Sequence, residues 1–378
     1  MISRDDLLIW IWNLTLILAF GSIVILVVLV IRRGLSERRQ RIRAKRRAEL
    51  SAFMHTALQS PVKLDGSALP RLRRRDYPIV LHIALDMIRS VKGKYVEQIV
   101  ELVSGLGLYP YLKRLSASRK RADRLKALTL LGYFPAPDST DVLLARLRED
   151  DAYVQMTALR GLARHTETVD TSKVLRQLGD SFQTNALMLA DILRRFGENS
   201  LPALHDLAAA TELENPKRGR TILSWWLGLV KKAKDNRVNE NVRIAAIIAI
   251  GNIGALSSVA PLTVLLTEKN ARIRATTVEA LGRIGDDNAA DGVAALLRDD
   301  SKEVRIRSAQ ALGRLGDEST LPALVAALED ESWWVRFGAA QSLVRFGDTG
   351  IALLRASSDL TGARGEIAAQ VLAEMADA

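Results

Sequence analysis

The sequence predicts an all-α fold, an α-solenoid of paired helices preceded by one transmembrane helix. Three features carry this prediction: a 31-residue period through most of the chain, an uncharged stretch of 25 residues near the N-terminus, and a basic stretch directly after it. A fixed period of about 20 to 50 residues is typical of solenoids, in which each unit buries its apolar face against its neighbours.

The period is clearest in four segments that start with an aliphatic residue and an arginine and reach an apolar residue and a glycine eleven residues later. They start at Val242, Ile273, Val304 and Val335. One apolar column is formed by Ile250, Leu281, Leu312 and Leu343, and an earlier one by Val100, Leu131, Leu162 and Leu193. The two columns are 57 residues apart at their junction, which predicts two arrays joined by a divergent repeat.

Residues 301–330 serve as the repeat unit. Val304 and Leu312 recur at helical spacing and predict a first helix, which ends at Gly316 because glycine accepts left-handed dihedrals. Asp317 is suited to the turn, and Pro322 to the first turn of a second helix, where its missing N–H costs nothing. Each unit is therefore a pair of helices.

The uncharged stretch of residues 7–31 predicts the transmembrane helix. At about 1.5 Å per residue it is long enough to cross a hydrocarbon core of about 30 Å. A cleaved signal peptide is the alternative, but the apolar run is too long and no cleavage site follows it. Positive residues stay on the cytoplasmic side. We therefore expect a single-pass protein of the cell (inner) membrane, with its N-terminus outside and its solenoid in the cytoplasm.

The basic stretch accounts for most of the net charge, since residues 32–50 carry +7 of the +11 of the whole chain. Basic residues beside a membrane attract anionic lipid, which predicts lipid sensing; a topology determinant on a solvated helix is the simpler interpretation. The membrane-proximal basic residues are Arg32, Arg33, Arg38, Arg39, Arg41, Arg43, Lys45, Arg46 and Arg47.

The predicted organisation follows from these segments. In chain order it is a short extracytoplasmic N-terminus (1–6), the transmembrane helix (7–31), a basic juxtamembrane helix (32–59), a linker rich in proline and arginine (60–78), a first array (79–209), a divergent repeat (210–238), a second array (239–357) and a C-terminal capping helix (358–378).

A column of arginines follows the period, at Arg243, Arg274, Arg305 and Arg336. It is compatible with an anion-binding ladder. The structural interpretation, which we prefer, is that each guanidinium bonds nearby carboxylates and carbonyls such as those of Asp299, Asp300 or Asp330.

Two tryptophan pairs are candidates for partner binding, because tryptophan is enriched in the hot spots of interfaces. Trp333 and Trp334 replace polar residues of the preceding units, and the alternative is that the capping helix covers them. Trp225 and Trp226 lie in a short apolar stretch flanked by lysines and arginines, where the core of the divergent repeat is the alternative.

Few residues suggest chemistry. The chain has no cysteine, which excludes disulfides, thiolate metal sites and cysteine nucleophiles. Its four histidines have no metal-ligand spacing. We predict no catalytic, cofactor-binding or metal site. A run of seven basic residues between 113 and 126 suits lipid headgroups, an acidic partner or nucleic acid, or is a solvated loop.

The segment from Val304 to Asp317 resembles the HEAT-like repeats of the bilin-lyase type. The resemblance implies an α-solenoid, a fold shared by scaffolds, chromophore lyases and a group of DNA glycosylases. We expect a membrane-anchored scaffold or adaptor, not an enzyme, that binds a protein partner and regulates a membrane or envelope-assembly complex. A bilin-lyase-like enzyme and a basic nucleic-acid-binding solenoid are the alternatives; because the anchor fits the latter poorly, no nucleic acid is expected.

Overall fold

The computed structural model describes residues 4–59, 72–134, 138–178, 185–210 and 239–376; within the first helix it leaves out the side chains of residues 4–11, 13–17, 19 and 39. All regular elements of the described residues are helices, as the fold prediction requires. The contacts divide the chain into two compact units, Met1–Arg114 and Leu115–Ala378.

The first unit packs three helices onto the end of a long one. The long helix continues through the predicted membrane and juxtamembrane segments without a break, and its last turns bury Leu50 and Met54 against the next two helices. Asp76, just before the second helix, accepts hydrogen bonds from Arg46. The helices are α1 (Arg4–Gln59), α2 (Tyr77–Ser90), α3 (Lys94–Gly105) and α4 (Tyr109–Leu115).

No helix among the described residues is long and apolar enough to cross a membrane. The predicted transmembrane segment, 7–31, lies partly among the side chains outside that description. From Phe20 to Ile31 the large apolar side chains of α1 are exposed, and so are most of the basic side chains that follow. Most of the predicted linker also lies outside the described residues, and α2 begins at Tyr77.

The second unit contains paired helices. In its first half they are α5 (Arg121–Leu131), α6 (Asp138–Arg146), α7 (Ala152–Leu162), α8 (Thr171–Leu175), α9 (Ala186–Leu193) and α10 (Leu201–Ala209). In its second half they are α11 (Glu240–Ile253), α12 (Val259–Val264), α13 (Ala271–Ile284), α14 (Ala290–Ala295), α15 (Lys302–Leu315), α16 (Leu321–Ala327), α17 (Trp333–Arg345), α18 (Gly347–Ser358) and α19 (Ala363–Ala376).

The first helices of successive repeats in the second half stack on one another, α11 on α13, α13 on α15 and α15 on α17. Their contacts are close because a glycine faces the next helix: a Cβ added to Gly313 would lie 2.6 Å from the Ser342 Oγ. Gly316 ends α15 with a φ of +75°, a conformation that favours glycine. The periodic leucine column, from Ile250 to Leu343, is fully buried at these contacts.

The two halves of this unit meet directly, since α11 packs against both α9 and α10. Leu193 and Ile250 therefore lie on neighbouring helices, although they are 57 residues apart in sequence. That spacing is one 31-residue period with 26 further residues. The predicted divergent repeat falls almost entirely in residues 211–238, outside the described residues.

Candidate partner-binding surface

An aromatic cluster of Trp333, Trp334 and Phe337 lies on the first turns of α17. The Trp333 ring stacks on Phe337 with centroids 4.8 Å apart and meets Trp334 edge-on, also at 4.8 Å. The side chains of Trp333 and Trp334 remain 38% and 61% exposed. The capping helix α19, which packs against α17, therefore leaves both tryptophans accessible.

The equivalent positions in the preceding repeats carry charged pairs instead. Trp334 corresponds to Glu303 and to Arg272, one and two periods earlier. Glu303 binds Arg307 at 2.9 Å, and Arg272 binds Glu240 of the previous repeat at 2.7 Å. The aromatic cluster is thus a change from charged to apolar at the last repeat.

The arginine column connects the repeats through carboxylates. Arg274 donates from Nε and Nη2 to the two carboxylate oxygens of Asp299, both at 2.7 Å, and from Nη1 to the carbonyl of Glu268 at 2.7 Å. Arg305 repeats this with Asp330, at 2.8 and 3.2 Å, and with the carbonyl of Asp299 at 3.0 Å.

The first arginine of the column differs slightly. Arg243 donates from Nη2 to the carboxylate of Glu268 and from Nε to the carbonyl of Ala208 at 3.0 Å. In all three cases the carboxylate comes 25 residues after the arginine, from the loop before the next repeat. We call each of these pairs a rung.

The protonation states of the rungs are fixed by these contacts. The hydrogen bond to Asp299 raises the pKa of Arg274, and the one to Asp330 raises the pKa of Arg305. Burial alone would raise the pKa of Asp299, but the hydrogen bonds from Arg274 and from the Ser301 backbone outweigh it and lower the pKa below its ordinary value. Charged rungs are therefore the stable form at neutral pH.

Arg336, the last of the column, has only half of a rung. Its Nη1 donates to the carbonyls of Asp330 and Glu331, at 2.8 and 3.2 Å. The residue 25 positions further on is Thr361, which has no carboxylate. The Nε of Arg336 is buried and has no hydrogen-bond acceptor among the described residues.

An open groove of about 780 Å³ lies beside the rung of Arg305 and Asp330. Its floor consists largely of small side chains from α14, α16 and the residues that end them, among them Ala294, Ala295, Ala323 and Ala326. Its rim is mostly acidic, with Asp299, Asp300, Glu329, Asp330 and Glu331 beside Arg298 and Arg305.

Two members of the membrane-proximal basic set bind carboxylates of their own unit. Arg46 binds Asp76 at 3.1 Å and Arg47 binds Asp86 at 3.2 Å. These two therefore help to hold α1 against the rest of the unit. The second tryptophan pair, Trp225 and Trp226, lies outside the described residues.

Sequence reasoning missed one member of the arginine column. Arg124 lies seven residues before Leu131, as Arg305 lies seven before Leu312, but the basic run around it suggested a loop. In the structure it is on α5, donates to the carbonyl of Ser118 at 3.0 Å and binds Glu149 and Asp151, both at 3.3 Å. The phase of the earlier leucine column was the signal that could have identified it.

It also missed a histidine–serine contact. His205 on α10 lies 3.1 Å from the Oγ of Ser258, 53 residues further on. Burial lowers the pKa of His205, which Asp206 opposes only in part. Ser258 is fully buried, so this hydroxyl has no open path to a substrate, and the contact serves packing between α10 and the turn before α12.

The comparisons with known proteins agree with the repeat architecture. Residues 228–302 and 290–373 match the family model of HEAT repeats. This part of the chain is therefore built of HEAT repeats, as the resemblance in the sequence indicated. No curated protein is similar enough to match.

Solved structures of low sequence identity share the helical-repeat fold. Yeast importin-β (Kap95p) is 15% identical with a TM-score of 0.42, over 85% of this chain and 50% of importin-β. The karyopherin Kap121p, bound to the extreme C-terminus of the protein phosphatase Cdc14p, is 12% identical with a TM-score of 0.39, over 84% of this chain and 43% of Kap121p. An engineered protein is 17% identical with a TM-score of 0.34, over 64% and 98% of the two chains.

Proposed function

We propose that this chain is a protein-binding scaffold that docks a partner on the aromatic cluster of Trp333, Trp334 and Phe337. The observation that carries the proposal is the exposure of two stacked tryptophans, 38% and 61%, at the end of an otherwise charged surface. Large exposed aromatic side chains are uncommon on surfaces without partners and are enriched in the energetic centres of interfaces.

The geometry of the cluster favours binding. Trp333 is held by its stacking on Phe337 and its edge contact with Trp334, so little side-chain freedom remains to be lost when a partner covers it. The charged residues of the preceding repeats, such as Glu303 and Arg307, would form the polar rim that surrounds a dry interface centre.

The scaffold acts at the cell (inner) membrane in this proposal, anchored by residues 7–31 with the solenoid in the cytoplasm. The exposed apolar side chains from Phe20 to Ile31, followed by exposed arginines, support this part. Such an anchor raises the local concentration of the docking surface near membrane proteins and suits the regulation of a membrane or envelope-assembly complex.

Crosslinking in intact membranes tests the docking surface. A photo-crosslinker at Gln341, an exposed residue on the same helix, is introduced into the tagged full-length chain and into Trp333→Ala/Trp334→Ala. The matched control is Lys302→Ala/Glu303→Ala, one period earlier. We expect a specific protein adduct that is lost in the tryptophan variant and kept in the control. An adduct that survives the tryptophan variant, or self-crosslinks alone, would refute the docking surface.

Membrane attachment has its own test. The full-length chain, a Leu26→Arg/Val28→Arg variant and a Leu35→Arg/Ile42→Arg control are each followed through extraction of membranes at alkaline pH. Leu26 and Val28 lie within the uncharged stretch and the control pair lies outside it. We expect only the first variant to leave the membrane fraction, because a charge is costly in the hydrocarbon core. Full extraction of the unchanged chain would contradict the anchor.

A further inference from the structure

We propose that Arg336 binds a carboxylate of the docked partner, which completes the fourth rung of the arginine column. The inference rests on the proposed function, because it names the chemistry that the partner brings to the surface beside the tryptophans. Three rungs of the same array hold a carboxylate 25 residues after the arginine, and the fourth arginine has Thr361 at that position.

Arg336 is already oriented as the other arginines are. Its Nη1 donates to the carbonyls of residues six and five positions before it, as Nη1 of Arg305 and of Arg274 do. A guanidinium is planar, so the placement of Nη1 also fixes the edge formed by Nε and Nη2. In the rungs of Arg274 and Arg305 this edge holds both oxygens of an aspartate.

The unsatisfied Nε of Arg336 makes a carboxylate favourable there. A buried N–H without an acceptor carries a desolvation penalty that an incoming acceptor removes. A carboxylate also forms charge-assisted bonds, and its two oxygens match the Nε–Nη2 edge. The three carboxylates held by the same geometry in this chain favour an acidic peptide as the ligand.

The surroundings of Arg336 leave a way in and suggest what flanks the carboxylate. The loop of residues 359–362, which stands where the earlier rungs present their acids, is exposed, including Leu360. Asp359 on this loop forms no ion pair with Arg336. Trp333 precedes Arg336 by three residues and is thus its neighbour on the helix surface. We infer that the partner presents an aspartate or glutamate next to a large apolar side chain.

A synthetic peptide probes the site. The probe is the loop of the preceding rung, acetyl-Leu-Glu-Asp-Glu-Ser-amide (residues 328–332), and its neutral control is acetyl-Leu-Gln-Asn-Gln-Ser-amide. The readout is the Nε–H signal of Arg336 in the full-length chain with ¹⁵N-labelled arginine, assigned by its loss in Arg336→Lys. We expect a saturable shift with the acidic peptide alone. No shift, or an equal shift with the neutral peptide, would refute the inference.

Thr361→Asp supplies the carboxylate from the chain itself. We expect this variant to raise the melting temperature by about 2–4 °C, as a gain of about 1 kcal/mol does in a domain of this size. It should also remove the peptide-induced shift and reduce the partner crosslink at least about tenfold, while Thr361→Asn changes none of the three. A Thr361→Asp chain that is no more stable, or that still responds to the peptide, would show that Arg336 does not form a rung.

The two proposals fail separately. If the crosslink depends on Trp333 and Trp334 but is unchanged in Thr361→Asp and in Arg336→Gln, the docking surface stands and the carboxylate contact is wrong. If the Arg336 signal responds to the acidic peptide while the crosslink ignores the tryptophans, the carboxylate site stands without the aromatic surface.

Discussion

The guanidinium of Arg305 holds both carboxylate oxygens of Asp330, 25 residues further along the chain, at 2.8 and 3.2 Å. The same aspartate accepts the backbone N–H of Ser332 at 2.8 Å, just before α17 begins. Arg305 in turn binds the carbonyl of Asp299, which precedes its own helix. One ion pair therefore connects the loops in front of two successive repeats, and it couples the stability of each repeat to the next.

Asp330→Ala should destabilise the second unit. The pair is largely buried, with 9% of the Arg305 side chain and 12% of the Asp330 side chain exposed. Removing one partner of such a pair leaves a charge without its counterpart, and we expect a loss of about 2–3 kcal/mol, because Glu331 still binds Arg305. Urea denaturation followed by circular dichroism measures it. Asp300→Asn, at an exposed neighbour, should change stability by about 0.5 kcal/mol or less. Equal effects of the two substitutions would contradict a specific rung.

The stability contributed by Asp299 should depend on pH. Its folded pKa lies below the ordinary value of 3.8, so the contribution is present above that value and is lost as the pH falls through the folded pKa. We expect the unchanged chain to be more stable than Asp299→Asn at pH 6 and the difference to shrink steadily towards pH 2. Denaturation midpoints of both proteins across this range give the result. A difference that is constant with pH would mean that the charge of Asp299 does not matter.

Gly313→Ala should weaken the stacking of α15 on α17. The new Cβ would lie 2.6 Å from the Oγ and 2.7 Å from the Cβ of Ser342, which is too close for any side chain. We expect a loss of about 1–3 kcal/mol from this overpacking. Gly338→Ala is the matched control on α17, because its nearest neighbours would be 3.5 Å away. The control should be neutral or gain up to about 1 kcal/mol of helix propensity. Thermal denaturation of the two variants distinguishes them.

The repeat architecture could be predicted from the sequence because its physical cause is periodic. Leu312 recurs every 31 residues since each repeat buries the same position, and Gly316 recurs since each first helix ends in the same left-handed turn. The described residues are all helical and residues 228–373 match HEAT repeats, which confirms the fold to that extent. The acids that Arg274 and Arg305 bind were also among those that the sequence suggested.

Other features depend on packing between distant residues and leave no local pattern. Whether α19 covers Trp333 and Trp334 follows from how that helix packs, which the sequence left open. The direct contact of α11 with α9 was hidden by the 57-residue spacing of Leu193 and Ile250. The contact of His205 with Ser258 joins helices from the two halves of the second unit, and no motif links those residues.

Trp334→Ala should separate partner binding from folding. With 61% of its side chain exposed, this tryptophan buries little area in the isolated chain, so its truncation should cost about 0.5 kcal/mol or less. Leu343→Ala on the same helix removes a fully buried side chain and should cost about 2–5 kcal/mol. If Trp334 is a centre of the interface, its variant should retain the melting temperature of the unchanged chain and lose the partner crosslink. A loss of crosslinking that is matched by a fall in melting temperature would instead assign Trp334 a structural role, because the surface itself would then be altered.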